Sequence, residues 1–252
     1  RASLISTYGW TITDGGGVAA FNTYSVAFDG TNNYLASPLV DTVNWDIGSW
    51  SCWMKSSATG GANMFSKNGD FQFWTTMNNG EILFRHPSMG GWSAGTTTTY
   101  NDGNWHFVVF TASGGSGVLS TVKIYVDGVE VATRSSPPTP VTYTPTNKSV
   151  LVGAYNVVPG ATFGGYSQYI GNIDELSAWT SVLSLAEIVA LYNSGLPVDL
   201  SSNSGSYVSS SNLTNWWRMG DGDTYDIISD VVGGIDVTMY NMVSGDIVSV
   251  VP

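Results

Sequence analysis

The chain has 252 residues, and its 8 Lys and Arg against 19 Asp and Glu give a formal net charge of −11. A surface of that sign repels phosphate backbones and anionic lipid, which argues against nucleic acid and membrane surfaces as partners. No run of 18 apolar residues is present to form a spanning helix.

With 30 glycines and 13% aromatic residues, the composition favours short strands joined by tight turns, and all-β chains of this length commonly form one domain. The N-terminal piece to Phe21 reads as irregular, and the chain opens on Arg1 without an apolar leader core, as a processed or partial chain would. SVAFD (25–29) is the first predicted strand, ended by a turn at Gly30, and NNYL (32–35) begins the second. WSCWMK (50–55) is another, and its Cys52, the only cysteine, shares parity with Trp50 and Met54. A small buried apolar role follows, since one cysteine cannot form an intrachain disulfide. MFSK (64–67) and residues 71–77 and 82–85 come next at the spacing of an antiparallel meander.

WHFVVFT (105–111) is apolar on both faces, as a central strand covered on each side should be. TVKIYVDGVEVAT (121–133) predicts a hairpin whose two-residue type I′ loop is Asp127-Gly128, a pair that tolerates the positive φ such a loop needs. Pairing across it sets Val126 against Val129, Ile124 against Val131 and Val122 against Thr133, all on one buried face, with Lys123, Tyr125, Glu130 and Arg134 on the other. PPTP (137–140) and Pro145 enforce an extended connection to a strand at 149–154. The convincing helix covers residues 185–193: Ser184 and Glu187 have capping-box spacing, and Leu183 and Ile188 have staple spacing. Leu185, Ile188, Leu191 and Tyr192 form its apolar face, and Gly195 and Pro197 stop it.

WHFVVFT (105–111), IYVDGV (124–129) and GNIDEL (171–176) together resemble the laminin G-like jelly roll of the concanavalin A-like lectin/glucanase superfamily. The resemblance implies an all-β, antiparallel two-sheet jelly-roll sandwich with one short helix, an architecture that hosts lectins, adhesion modules, glycosidases and virion proteins. NWWRMGDGDTY (215–225) and ISDVVGGIDVTM (228–239) resemble the opening of such a domain, yet they come last. Either the domain is circularly permuted or a second repeat begins and stops short. Permutation is favoured, because a truncated repeat would leave Trp216, Trp217 and Met219 without a core. The expected layout is one domain over 1–252: a main sandwich over 24–200, a Ser/Asn-rich connection over 201–214, and a segment over 215–252 that completes the sandwich. The arrangement is also similar to modules in structural proteins of tailed phages.

Glycosidases on this fold set two carboxylates at alternate positions of one strand, about 5 to 5.5 Å apart in retaining enzymes. Here Asp174 and Glu175 are adjacent, which in a regular strand sends them to opposite faces. No nucleophile elbow, phosphate loop or HExxH motif is present. His86 and His106 lack metal-ligand spacing, and His106 reads as a satisfied histidine in the central strand. Calcium has two candidate sites: Asp221 with Asp223, for which a solvated turn is the plainer account, and Asp29 with Asp174 at the sheet rim, as in related sandwiches. Sugars need exposed aromatic faces beside polar groups, which nominates Trp92 on one glycine-rich loop and Tyr166, Gln168 and Tyr169 on another, unless these rings plug the ends of the sandwich. The expected protein is a non-catalytic recognition or structural module, on a virion surface or otherwise extracellular. Its expected partners are other virion proteins, further copies of itself or cell-surface glycans. A secreted lectin and a glucanase-like enzyme are the alternatives.

Overall fold

The computed structural model of the chain describes residues 21–38, 47–67, 71–75, 80–85, 94–115, 118–135, 149–154 and 168–252. In chain order the strands are β1 Ser25–Asp29, β2 Tyr34–Ala36, β3 Gly48–Lys55, β4 Ala62–Lys67, β5 Phe71–Thr75, β6 Glu81–Arg85, β7 Gly95–Thr99, β8 Trp105–Gly115, β9 Val118–Val126, β10 Val129–Ser135, β11 Val150–Val152 and β12 Ile170–Trp179. Helix α1, Leu185–Tyr192, precedes β13 Leu213–Trp217, β14 Ile227–Ile228, β15 Val237–Tyr240 and β16 Ile247–Val248. One sheet runs β10-β9-β8-β3-β12-β1-β16, with β13 also on β12; the other runs β14-β15-β2-β11-β4-β5-β6-β7. Every pairing between these strands is antiparallel.

Alternation along the central strands builds two cores. On β3, Trp50, Cys52 and Met54 point between the sheets, where they meet Val108 and Phe110 of β8 and Phe65 and Phe84 of the opposite sheet. Trp53, and Phe107 and Val109 of β8, point outward into a second core under α1, with Trp179, Ile188, Leu191 and Leu200. Both faces of β3 and β8 are thus covered, which is why WHFVVFT reads apolar throughout. Burial pushes the Cys52 thiol up, so it stays protonated and inert.

Helix α1 begins as expected. Ser184 accepts from the Glu187 backbone N–H, and the Glu187 carboxylate accepts from Ser184 N at 2.9 Å. Leu185 departs from the expected face, being 52% exposed, while Ile188 and Leu191 carry the packing. The connecting segment packs too: the Trp179 indole donates to the Tyr207 hydroxyl at 3.0 Å, and Tyr207 is buried in the second core.

The hairpin turn has the expected positive φ at Asp127 (52°) and Gly128 (79°). Val126 opposes Val129, but a β-bulge at Val131 then shifts the register, so Ile124 faces Ala132 and Val122 faces Arg134. Val131 and Ala132 both pack against the core, and Val129, expected in the buried face, is 60% exposed. β10 is an edge strand, and an extra residue costs least there.

The C-terminal segment enters both sheets. β13 pairs with β12, β15 with β2, and β16 with β1. The strand beside β1 is therefore Ile247–Val248, while the Trp216-Trp217 stretch lies on β12. Trp217, Met219, Ile228, Val237, Met239 and Met242 all join the inter-sheet core.

Candidate functional site

Strand β12 has two partners along one edge: β1 covers its first half, from Ile170 to Ile173, and β13 its second, from Leu176 to Trp179. Asp174 and Glu175 sit where one partner hands over to the other. Against β3 the register slips between Asp174 and Ser177, and Glu175 takes a left-handed φ of 50°. The expectation that these carboxylates face opposite ways fails here, because the bulge breaks the two-residue alternation.

Both side chains instead meet the segment that leads into β1 and the residues that leave β13. Asn22 donates to Asp174 Oδ2 at 2.7 Å, and the Glu175 N–H donates to Asp174 Oδ1 at 2.8 Å. Glu175 accepts from the Trp216 indole at 2.5 Å and from Arg218 Nε at 3.3 Å. Asp221 accepts from the N–H groups of Thr23 and Tyr24 and from the Thr23 hydroxyl. Phe21 closes the top: its ring stacks on Trp216 at 6.1 Å, the Arg218 guanidinium lies 4.2 Å from its centroid, and Arg218 donates to its carbonyl.

The electrostatics are those of crowded, buried carboxyls. Burial pushes Glu175 up to about 7 against the pull of Arg218 and the Trp216 indole. Burial and then the neighbouring Glu175 push Asp174 well above the usual carboxylate range. Raised values mean that the folded state favours the protonated acids. The stabilisation is complete below the ordinary carboxylate pKa and, for Glu175, is lost as pH rises through about 7. His106 adds in the same direction: burial works against its charge, but Asp127 and Asp102, at 2.8 and 3.1 Å from its two ring nitrogens, raise it overall. Unfolding free energy measured in denaturant should therefore fall between pH 5.5 and 8.5. Glu175→Gln should reduce that fall by on the order of 2–3 kcal/mol. An unchanged slope in the variant would show that the seam does not titrate.

A raised carboxyl can act as a general acid only if substrate reaches it. Asp174 and Glu175 are 0% and 4% exposed, and their oxygens are held by the partners just named. The geometry ties residues 21–24 onto the sandwich.

The other expected site residues fare differently. Asp29 is four residues from the position on β1 that faces Asp174, because Asp29 pairs with Ile170 and Val26 with Ile173. At about 3.3 Å per residue the two carboxylates stand roughly 13 Å apart. They form no shared site, and Asp29 instead accepts from Thr31 N in its own turn. Asp221 faces residues 23–24, whereas Asp223 caps its own loop by accepting from Gly220 N and Ser229 N. Among the described residues no three His, Cys, Asp or Glu side chains converge as a metal-binding group. Tyr169 is not a sugar platform: it is 0% exposed, lies edge-on to Phe28, and donates to the Lys55 carbonyl at 3.1 Å. Gln168 is half-buried. Trp92, Tyr166 and His86 lie outside the described residues.

Sequence reasoning missed Asn22, Trp216 and Arg218 as partners of Glu175 and Asp174, since no local spacing links residues roughly 150 and 40 positions apart. It also missed Asp230, whose one carboxylate accepts from Trp216, Val232, Gly233 and Ile235 N–H groups and from the Asn215 amide. The signal was the DxxG stretch from Asp230 to Gly233. A Cβ at Gly233 would lie 2.3 Å from the Thr214 carbonyl oxygen.

Two antiparallel sheets, a capping helix after the Ile-Asp-Glu strand and a dry core on each side of one sheet define a lectin-like jelly-roll sandwich. The model of the concanavalin A-like lectin/glucanases superfamily matches residues 29–189, well over half of the chain, and the chain belongs to that superfamily. No curated protein sequence matches it. Among solved structures, a Bacteroides ovatus protein described as carbohydrate-binding aligns with a TM-score of 0.63 at 15% identity, over 88% of this chain and 59% of that one. A heptameric SAP-like pentraxin from Limulus polyphemus aligns at 0.54 and 14%, over 69% and 84%. Domain 4 of the extracellular arabinanase AbnA of Geobacillus stearothermophilus, solved with arabinotriose, aligns at 0.50 and 21%, over 71% and 83%. This chain thus spans about three fifths of the length of the Bacteroides protein. At these identities the likeness is one of fold.

Proposed function

We propose that the chain is a non-catalytic recognition module whose ligand is a glycan, displayed in many copies on a virion or another extracellular surface. The observation that carries the non-catalytic half is the immobilisation of Asp174 and Glu175 beneath residues 21–24, which leaves this carboxylate pair no open cleft. The glycan half is supported by the fold's likeness to a carbohydrate-binding protein and to an arabinanase domain solved with an oligosaccharide. Single glycan contacts of this kind are weak, and display in many copies raises their strength without new contacts. Particle display draws its support from the similarity of the sequence to phage structural modules.

The test is a glycan array probed with the multimerised protein, alongside a reducing-sugar assay on the glycans that are bound. Binding is expected from the multimer, with no sugar released. Sugar release would overturn the non-catalytic half, and no binding by the multimer would overturn the glycan half.

A further inference from the structure

The hairpin turn at Asp127-Gly128 packs against the last turn of α1, and a groove of about 490 Å³ opens between them. This lies within the roughly 300–1,000 Å³ usual for small-ligand sites. Gly128 lines it on the hairpin side, and a Cβ added there would lie 3.4 Å from the Tyr192 ring and 3.5 Å from Val189, so the glycine keeps that space open. Tyr192 is backed by Trp53, with ring centroids 6.1 Å apart, and so has a held orientation. Val129 and Val189 form apolar walls that are 60% and 50% exposed. Val129 flanks the turn on the edge strand β10, opposite Val126 and ahead of the bulge at Val131, which leaves its side chain open to the groove.

Polar groups close the ends. Asp127 is held in place by the Phe107 N–H at 2.9 Å and by His106 at 2.8 Å, and a carboxylate so engaged keeps further lone pairs for incoming hydroxyls. Asn193 spends its amide on the Leu196 carbonyl at 3.3 Å. Its carbonyl oxygen and the Ser194 hydroxyl have no partner among the described residues. Both residues hold left-handed φ values of 45° and 57°, which end the helix with Asn193 as its C-cap.

We propose that this groove is a binding site for an uncharged sugar, resting on the glycan-binding reading above. The pyranose face lies on Val129, Val189 and the edge of Tyr192, while its hydroxyls donate to Asp127 and Asn193 and exchange with Ser194. Charge selects the class, because the one acidic or basic side chain among the described lining residues is the Asp127 carboxyl and the chain carries −11 overall, so a sialylated or sulfated glycan would be repelled. Size argues against a second copy of the chain: eight lining residues fall well short of the roughly 20–30 per partner that a stable protein interface engages.

The test uses the full chain, multimerised as above, on an array carrying both neutral and sialylated glycans, comparing wild type with Val129→Lys, Val189→Lys and a control, Val243→Lys, at an exposed residue that does not line the groove. Trp92→Ala and Tyr166→Ala complete the set. Wild type and Val243→Lys should bind neutral glycans, and each groove variant should lose at least ten-fold in signal while keeping the wild-type melting temperature. Equal binding by the groove variants, or loss confined to Trp92→Ala or Tyr166→Ala, would move the site elsewhere and leave the module reading intact. Binding to sialylated glycans only would overturn the uncharged class. A wild type that binds no glycan removes the glycan reading itself, and the groove assignment with it. Sedimentation of the same set gives a further outcome: a dimer dissolved by Val189→Lys would assign the groove to self-association and overturn the sugar.

Discussion

Removing residues 205–252 is expected to leave a chain that does not fold cooperatively. The segment supplies β13 and β16 to one sheet and β14 and β15 to the other. It also buries Trp216, Trp217, Met219, Ile228, Val237 and Met239 in the two cores. Full burial of one large apolar side chain is worth about 1.5–3 kcal/mol, so the segment's contribution rivals the roughly 5–15 kcal/mol that separates a folded domain from its unfolded chain. Its loss would also uncover the inner edge of β12 and leave β1 and β2 without outer partners. Thermal unfolding followed by circular dichroism checks this. A truncated chain that melts at the full-length temperature with undiminished cooperativity would show that residues 25–200 are a domain without the tail.

The second large effect belongs to one carboxylate. Asp230→Ala should destabilise the protein by about 4 kcal/mol or more, because Asp230 satisfies four backbone N–H groups and one side-chain amide while itself only 6% exposed. Each buried donor left unpaired costs about 1–3 kcal/mol, and water reaches only some of them. Asp230→Asn should be milder but still harmful, since its amide nitrogen would turn one donor toward other donors. Urea denaturation distinguishes the outcomes. A loss below about 1 kcal/mol for the alanine variant would mean that solvent replaces the carboxylate and that the loop does not depend on it.

Much of the site could not be reached from local pattern. The Asp127-Gly128 turn and the Ser184–Glu187 cap appear as expected because each is decided within a few residues: the turn by who tolerates positive φ, the cap by which side chain reaches an unpaired N–H. The two bulges were illegible. Nothing in GVEVAT says that Val131 will be the extra residue, and nothing in GNIDEL says that Glu175 will turn left-handed. Both are chosen by what the neighbouring strand and the core can accommodate. Those bulges have the largest consequences, one by packing both Val131 and Ala132 against the core and the other by bringing Asp174 and Glu175 to one side.

Tyr169 and the Asp29–Asp174 pair fail for a related reason. A tyrosine on a glycine-rich stretch can equally cap a core or face a sugar, and only the β1–β12 register shows that it lies against Phe28. Two aspartates at strand ends share a site only if the ladder aligns them, and here it offsets them by four residues.

Local grammar is already present in the residues: apolar period two in the strands, a central strand dry on both faces, the turn, the cap and a tail too aromatic to lie in solvent. These follow from dihedral preference, hydrogen-bond reach and the cost of exposing apolar surface, all of which act over a few residues. Long-range packing sets the rest: β13 and β1 share an edge of β12, Asn22 and Arg218 meet Asp174 and Glu175 at that seam, and hairpin and helix enclose a groove. Those outcomes depend on strand register and on packing between segments far apart in the chain, where one inserted residue reassigns every face beyond it.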